Sequence, residues 1–184
     1  MGINEDVNPG LLYRGSTYDI DRFDLSQIKA GQRDVHGFGI YLTNNPEIAR
    51  FYANEYGGNR TKFIYTVKLV NITALIGWEE GIESYQAEEI YRQYSRTVED
   101  ENLLSDMADT LGLSDGYYGQ HPMTSQLYGY LEAVLGSKEA ASGLLFDCDI
   151  NGIVFRSKEN GFDSMNYNIF DPSNTRIVDK EIIE

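Results

Sequence analysis

At 184 residues, with 41% hydrophobic and 12% aromatic side chains, the chain is long and apolar enough to bury a core, which argues against disorder and for one domain over 1–184. A formal net charge of −14 opposes an electrostatic grip on nucleic acid or on an anionic membrane. A single cysteine, Cys148, excludes an internal disulfide, and it and the two histidines lack the spacing of a metal site.

The first ten residues, MGINEDVNPG, carry neither a basic start nor an apolar run, so no secretory signal is expected and the reading is cytoplasmic. Leu11 to Gly15 reads as a short strand, Asp24 to Lys29 as a turn or short helix, and Gly39 to Thr43 as a second strand. Asn45-Pro46-Glu47 is a helix start: asparagine caps, proline takes the first helical position, and the acid faces the positive end of the dipole. Ile48, Phe51, Tyr52 and Tyr56 then recur at helical spacing and predict one apolar face. From Phe63 to Val70 the pattern is that of a strand.

Between about Glu83 and Phe146 the pattern turns helical. Ile90, Tyr94 and Val98 share one face, and Leu103, Leu104, Met107 and Leu111 another. Gly112 and the run Gly116-Tyr117-Tyr118-Gly119 interrupt it. Leu127, Leu131, Val134 and Leu135 predict a third helix, and Ser137 caps a fourth through Ala140, Ala141, Leu144 and Leu145. Strands return at Ile153 to Arg156, Tyr167 to Asp171 and Thr175 to Val178. Strands at both ends with helices between predict an α+β domain whose terminal strands share a sheet.

Three separated stretches carry the chemistry. Leu12-Tyr13-Arg14-Gly15-Ser16 sets an arginine, a fork of donors suited to pyrophosphate, beside a glycine where a backbone or ligand comes close. Gly37-Phe38-Gly39-Ile40-Tyr41-Leu42-Thr43 sets a tyrosine, an aromatic face for a flat ring, after two glycines. Asn166-Tyr167-Asn168-Ile169-Phe170-Asp171 opens the last part of the sheet on an amide. Each residue also has a plainer reading. Arg14 is then a strand-end charge, Ser16 a turn cap, Tyr41 a core tyrosine, and Tyr52 either core or the opposite wall of a site.

In this order the three stretches resemble the sheet motifs of the ADP-ribosyltransferase superfamily, in its diphtheria-toxin-like branch. The second continues through Pro46-Glu47-Ile48-Ala49 and Tyr52-Ala53. The stretches Leu127-Tyr128 to Leu135-Gly136-Ser137, Glu139-Ala140-Ala141-Ser142 and Asp149-Ile150-Asn151-Gly152-Ile153 look like the domain of that group found in phage and mobile-element polyvalent proteins. The resemblance covers nearly the whole chain. It implies a split β-sheet core with a helical insert at about 83–146.

It also implies mono-ADP-ribosyl transfer from NAD to a macromolecular target, by analogy a host protein of a defence or metabolic system. Arg14, Gly15, Ser16, Gly39, Tyr41 and Tyr52 would hold NAD, and Arg14, Tyr41, Asn166 and Asp163 would take part in the reaction. The family's glutamate position is Asn166, an amide that accepts a ribose hydroxyl but supplies no charge. Asp163 and Glu159, read as loop acids before the last strands, are the replacement carboxylates; both also read as solvated. Asn166 favours the rival reading of a degenerate NAD-binding or protein-binding inhibitor module. An RNA 2′-phosphotransferase of the same superfamily fits poorly with so acidic a chain.

Overall fold

The structure is a computed structural model that describes residues 9–27, 35–114, 121–159 and 161–183. The expected glycine-tyrosine break at 116–119, like Lys29, falls outside them. The fold is α+β. Seven strands form one sheet, β1 (Leu11–Ser16), β2 (Ile40–Thr43), β3 (Lys62–Leu69), β4 (Ala74–Gly77), β5 (Ile150–Glu159), β6 (Phe162–Ile169) and β7 (Thr175–Ile183), in the order β4-β5-β6-β2-β1-β3-β7. All neighbours are antiparallel except β4 and β5. The strands at the two ends of the chain do share this sheet. It is narrowest in the middle, where β1 and β2 meet at one register position, Tyr13 with Thr43.

Five α-helices lie among the described residues, α1 (Pro46–Gly57), α2 (Ser84–Tyr94), α3 (Glu101–Thr110), α4 (Thr124–Leu135) and α5 (Lys138–Asp147). Asn45 caps α1, its side chain accepting from the Glu47 amide at 3.0 Å, and Ser137 caps α5 by accepting from Ala140. The buried face of α1 differs from the expected one. Ile48, Ala49, Ala53 and Gly57 are buried, while Tyr56 is 57% exposed. Gly15 is the reason: a Cβ there would overlap the Ala49 carbonyl oxygen and lie 2.8 Å from the Ala53 nitrogen. Small residues on both sides let helix and strand backbones approach, which selects the alanine stripe over the bulkier tyrosines.

The hairpin of β5 and β6 is longer than the sequence pattern predicts. It pairs Gly152 with Ile169 through Glu159 with Phe162, so Glu159 and Asp163 are strand residues rather than loop acids. Their polar alternation hid the strands, because only the inner residues carry the apolar signal. Strand β4 was likewise not expected.

The core has two main parts. Leu12, Phe23, Ile40, Leu42, Phe63, Tyr65, Val67, Tyr167 and Ile169 pack on one face of the sheet. The helices α2–α5 close around Ile90, Tyr94, Met107, Leu111, Leu127, Leu131 and Leu145 against Ile150 and Ile153. Among the described residues no helix is long and apolar enough to cross a membrane.

Candidate functional site

Where β1 and β2 part, the sheet leaves a cavity of about 610 Å³. Register explains its floor. Tyr13 pairs with Thr43, Thr43 with Asn166, and Asn166 with Phe155, giving one row across four strands on one face. Alternation along β5 adds Ser157 and Glu159 to that face. All six residues line the cavity. Helix α1 supplies a wall of Ala49, Tyr52, Ala53 and Tyr56, with the Tyr52 and Tyr56 rings stacked at 6.1 Å. The three sequence stretches, more than 150 positions apart at their extremes, thus meet at one opening.

Arg14 alternates to the other face of β1 and still lines the cavity. Its Nη1 donates to the Tyr41 carbonyl oxygen at 3.3 Å, and its guanidinium carbon lies 5.6 Å from the centre of the Phe23 ring. Burial lowers its pKa from the ordinary arginine value, yet a guanidinium stays cationic at neutral pH. Among the described residues no carboxylate comes within ion-pair distance of it. A half-buried cation whose partners among the described residues are a carbonyl and a ring leaves donors open to an anion.

The Tyr41 hydroxyl donates to the Gly37 carbonyl oxygen at 2.8 Å and accepts from the His36 amide at 3.0 Å. The tyrosine therefore ties down the segment before β2 while its half-buried ring lines the cavity. Tyr128 of α4 and Ser142 of α5 hold the same segment from the helical side: the Tyr128 hydroxyl accepts from the Phe38 amide at 3.0 Å, and Ser142 donates to the Phe38 carbonyl at 2.8 Å. The helical insert thereby braces the segment that leads into β2, while none of its described residues lines the cavity. Gly39 is required by protein packing, since a Cβ there would overlap the Asn168 amide oxygen and sit 2.6 Å from the Ile169 carbonyl oxygen. Both Gly15 and Gly39 line the cavity, but neighbouring protein atoms are what exclude a side chain there.

Asn166 is buried, and its amide nitrogen donates to Ser157 Oγ at 2.6 Å and Ser164 Oγ at 3.1 Å. The position stands in a neutral hydroxyl–amide cluster. Ser16, whose Oγ accepts from the Tyr18 amide at 3.1 Å, lines the cavity too. Asp163 does not line it: its side chain is 86% exposed and 4.0 Å from Lys158. Glu159 does. The expected preference between these two acids is therefore reversed in placement. From Asn166 the strand alternates toward Ser164 and Phe162, which leaves Asp163 on the other face.

Among the lining residues that sequence reasoning missed, four bear on the chemistry. Phe155 and Ser157 were legible only through period-two alternation with Glu159. Asp24 carries a carboxylate that hydrogen bonds from Ser26 hold below the usual range. The His36 ring stacks on Phe155 with centroids 3.7 Å apart, and burial lowers its pKa against a smaller opposing effect of Glu79. Its signal was its place one residue before the glycine-tyrosine stretch. No cluster of three metal-ligating side chains occurs among the described residues. Compared with protein-family models, curated proteins and solved structures, the chain matches none.

Proposed function

We propose that this cavity binds NAD and that the protein transfers ADP-ribose from it to a macromolecular target, a protein first of all. One observation carries the reading: Arg14, a half-buried guanidinium with no carboxylate partner among the described residues, lines an aromatic cavity of about 610 Å³. That donor set suits a pyrophosphate, and the rings of Tyr41, Tyr52 and Phe155 suit flat bases. The volume lies within the usual range for ligand pockets.

In this reading Arg14 neutralises the pyrophosphate while Ser157 and the Asn166 amide oxygen receive ribose hydroxyls. Cleavage of the nicotinamide–ribose bond builds positive charge on the ribose, which a fixed carboxylate stabilises. Glu159 takes that role, because it lines the cavity and Asp163 does not. Nicotinamide leaves, and the acceptor's nucleophile bonds to the ribose carbon as its proton passes to a base. Incubation with labelled NAD and host lysate tests the reading. It predicts a labelled protein that is lost in Arg14→Ala, and unlabelled lysate from a protein that binds no NAD overturns it.

A specific observation favours a second reading. The amide of Asn166, bound to two serines, stands at the position that the sequence resemblance aligns with the superfamily's glutamate, and it supplies no charge there. A non-catalytic module that binds NAD, or binds a protein, would show NAD binding without transfer.

A further inference from the structure

Away from the nucleotide cavity, Ser84 and His121 form a hydrogen-bonded pair that the cavity's chemistry does not use. The Ser84 hydroxyl lies 2.8 Å from His121 Nε2, and His121 Nδ1 lies 2.8 Å from the Leu111 carbonyl oxygen. A carbonyl oxygen only accepts, so Nδ1 carries the proton in that contact. In the neutral ring Nε2 is then the acceptor, and Ser84 donates to it. A hydroxyl, an imidazole acceptor and a group that orients the imidazole are the three parts of an activated serine.

The backbone fixes all three. Gly81 bridges to Met123, the Ile82 amide donates to the Pro122 carbonyl at 3.2 Å, and the Thr124 amide donates to the Glu80 carbonyl at 2.8 Å. Those bonds hold residues 121–124 across residues 80–84. Leu111, which supplies the orienting carbonyl, is fully buried at the end of α3. The cap of α2 is Glu83, with Gln86 completing the box, so the helix start does not consume the Ser84 hydroxyl. Ser84 and Tyr85 are the first two residues of α2, and their amide N–H groups precede its first intrahelical bond. These donors lie beside the Ser84 hydroxyl, where an oxyanion would form. Ser84 is exposed, and Tyr85 and Met123 leave apolar surface beside it at 66% and 49% exposure.

We propose that Ser84 is a nucleophile activated by His121, forming a second reactive site that takes small activated esters or thioesters. The Ser84 Oγ bonds to the acyl carbon as its proton moves to His121 Nε2. The oxyanion is received by the amides at the start of α2, and it collapses with cleavage of the ester or thioester bond. His121 returns the proton to the departing alcohol or thiol. Water then releases the acid by the same route, so every proton is accounted for. The open surface restricts the acyl donor to one needing no deep pocket.

The experiment uses the full chain and a biotinylated alkyl fluorophosphonate, with the adduct located by peptide mass mapping. The expected adduct is on Ser84. It is absent in Ser84→Ala and formed at least ten times more slowly in His121→Gln. Glutamine still accepts a hydrogen bond from Ser84 but takes up no proton, and its melting curve reports whether the fold is kept. A burst of nitrophenol from p-nitrophenyl acetate, abolished by pretreatment with the fluorophosphonate, is the second measurement and depends on the parent protein alone. No adduct in the parent, an adduct spread over other serines, or equal rates in parent and His121→Gln overturns the proposal, and leaves the pair as a tie between α2 and the segment that carries His121.

Discussion

The Arg14 guanidinium spans the gap at which β1 and β2 part, donating to the carbonyl oxygen of Tyr41 at 3.3 Å across strands that pair at one position only. A side chain here stands in for the ladder hydrogen bonds that the diverging backbones give up. It ties the two strands together beside the cavity it lines, and no carboxylate among the described residues pairs with it. The same residue is therefore both part of the frame and the anion contact of the proposed site.

Replacing Arg14 separates these roles. Charge-assisted hydrogen bonds contribute about 1.5–3 kcal/mol, so Arg14→Ala is expected to weaken NAD binding by roughly ten- to a hundredfold. Arg14→Lys keeps the charge but lacks the planar fork, and should recover only a minor part of the affinity. Calorimetric titration with NAD measures both. Full affinity in the lysine variant would show that diffuse charge is sufficient.

The acids give the sharpest test of mechanism. Glu159→Gln is expected to slow ADP-ribose transfer by about 10²–10³-fold with NAD binding largely kept, the usual effect of removing one fixed electrostatic partner. Asp163→Asn, on the solvent side of the hairpin, should leave the rate unchanged. If the parent binds NAD without transfer and Asn166→Glu gains NAD hydrolysis, the module reading replaces the enzyme reading.

Tyr41 can be split into ring and hydroxyl. Tyr41→Phe leaves the His36 amide and the Gly37 carbonyl without their partner and should destabilise the protein by about 1–3 kcal/mol. Tyr41→Ala also removes the ring and should cost NAD binding about 0.5–1.5 kcal/mol more than the phenylalanine variant. Denaturant unfolding and titration of both variants check this. Equal NAD affinities in the two would remove the ring from the site.

Gly15→Ala should destabilise the fold whether or not NAD is present, because its methyl group meets the backbone of α1 rather than a ligand. Overpacking of this kind costs about 1–3 kcal/mol, sometimes more. A parent-like melting curve with weakened NAD binding would instead make Gly15 a ligand contact.

One half-buried group and one buried group set expectations for pH. His36 has its pKa lowered in the fold, so as pH falls below 6.5 the unfolded chain takes up the proton first and stability drops. His36→Phe should keep the stack on Phe155 and flatten that acid-side loss. For Cys148, burial first and the nearby carboxylates next push the thiol up to about 12, so its contribution to stability is lost as pH rises from about 9.0 toward that value. At neutral pH the native thiol should resist iodoacetamide and react promptly once unfolded. Rapid alkylation of the native protein would contradict its burial.

By itself the sequence determined the elements whose signal is local. The Asn45-Pro46-Glu47 helix start and the Ser137 cap formed as read, since capping is decided within three or four residues. The strands carrying Arg14 and Tyr41 were legible from short apolar runs and their glycines, and the α+β class followed from their order. Tertiary structure decided what depends on pairing. Register across four strands aligned Tyr13, Thr43, Asn166 and Phe155, and alternation along the hairpin turned Glu159 toward the cavity and Asp163 away from it. It also chose the alanine face of α1 over its tyrosines, because Gly15 let the two backbones close together. A one-residue change of register exchanges the two faces of a strand, and no pattern within either strand specifies which neighbour it will meet.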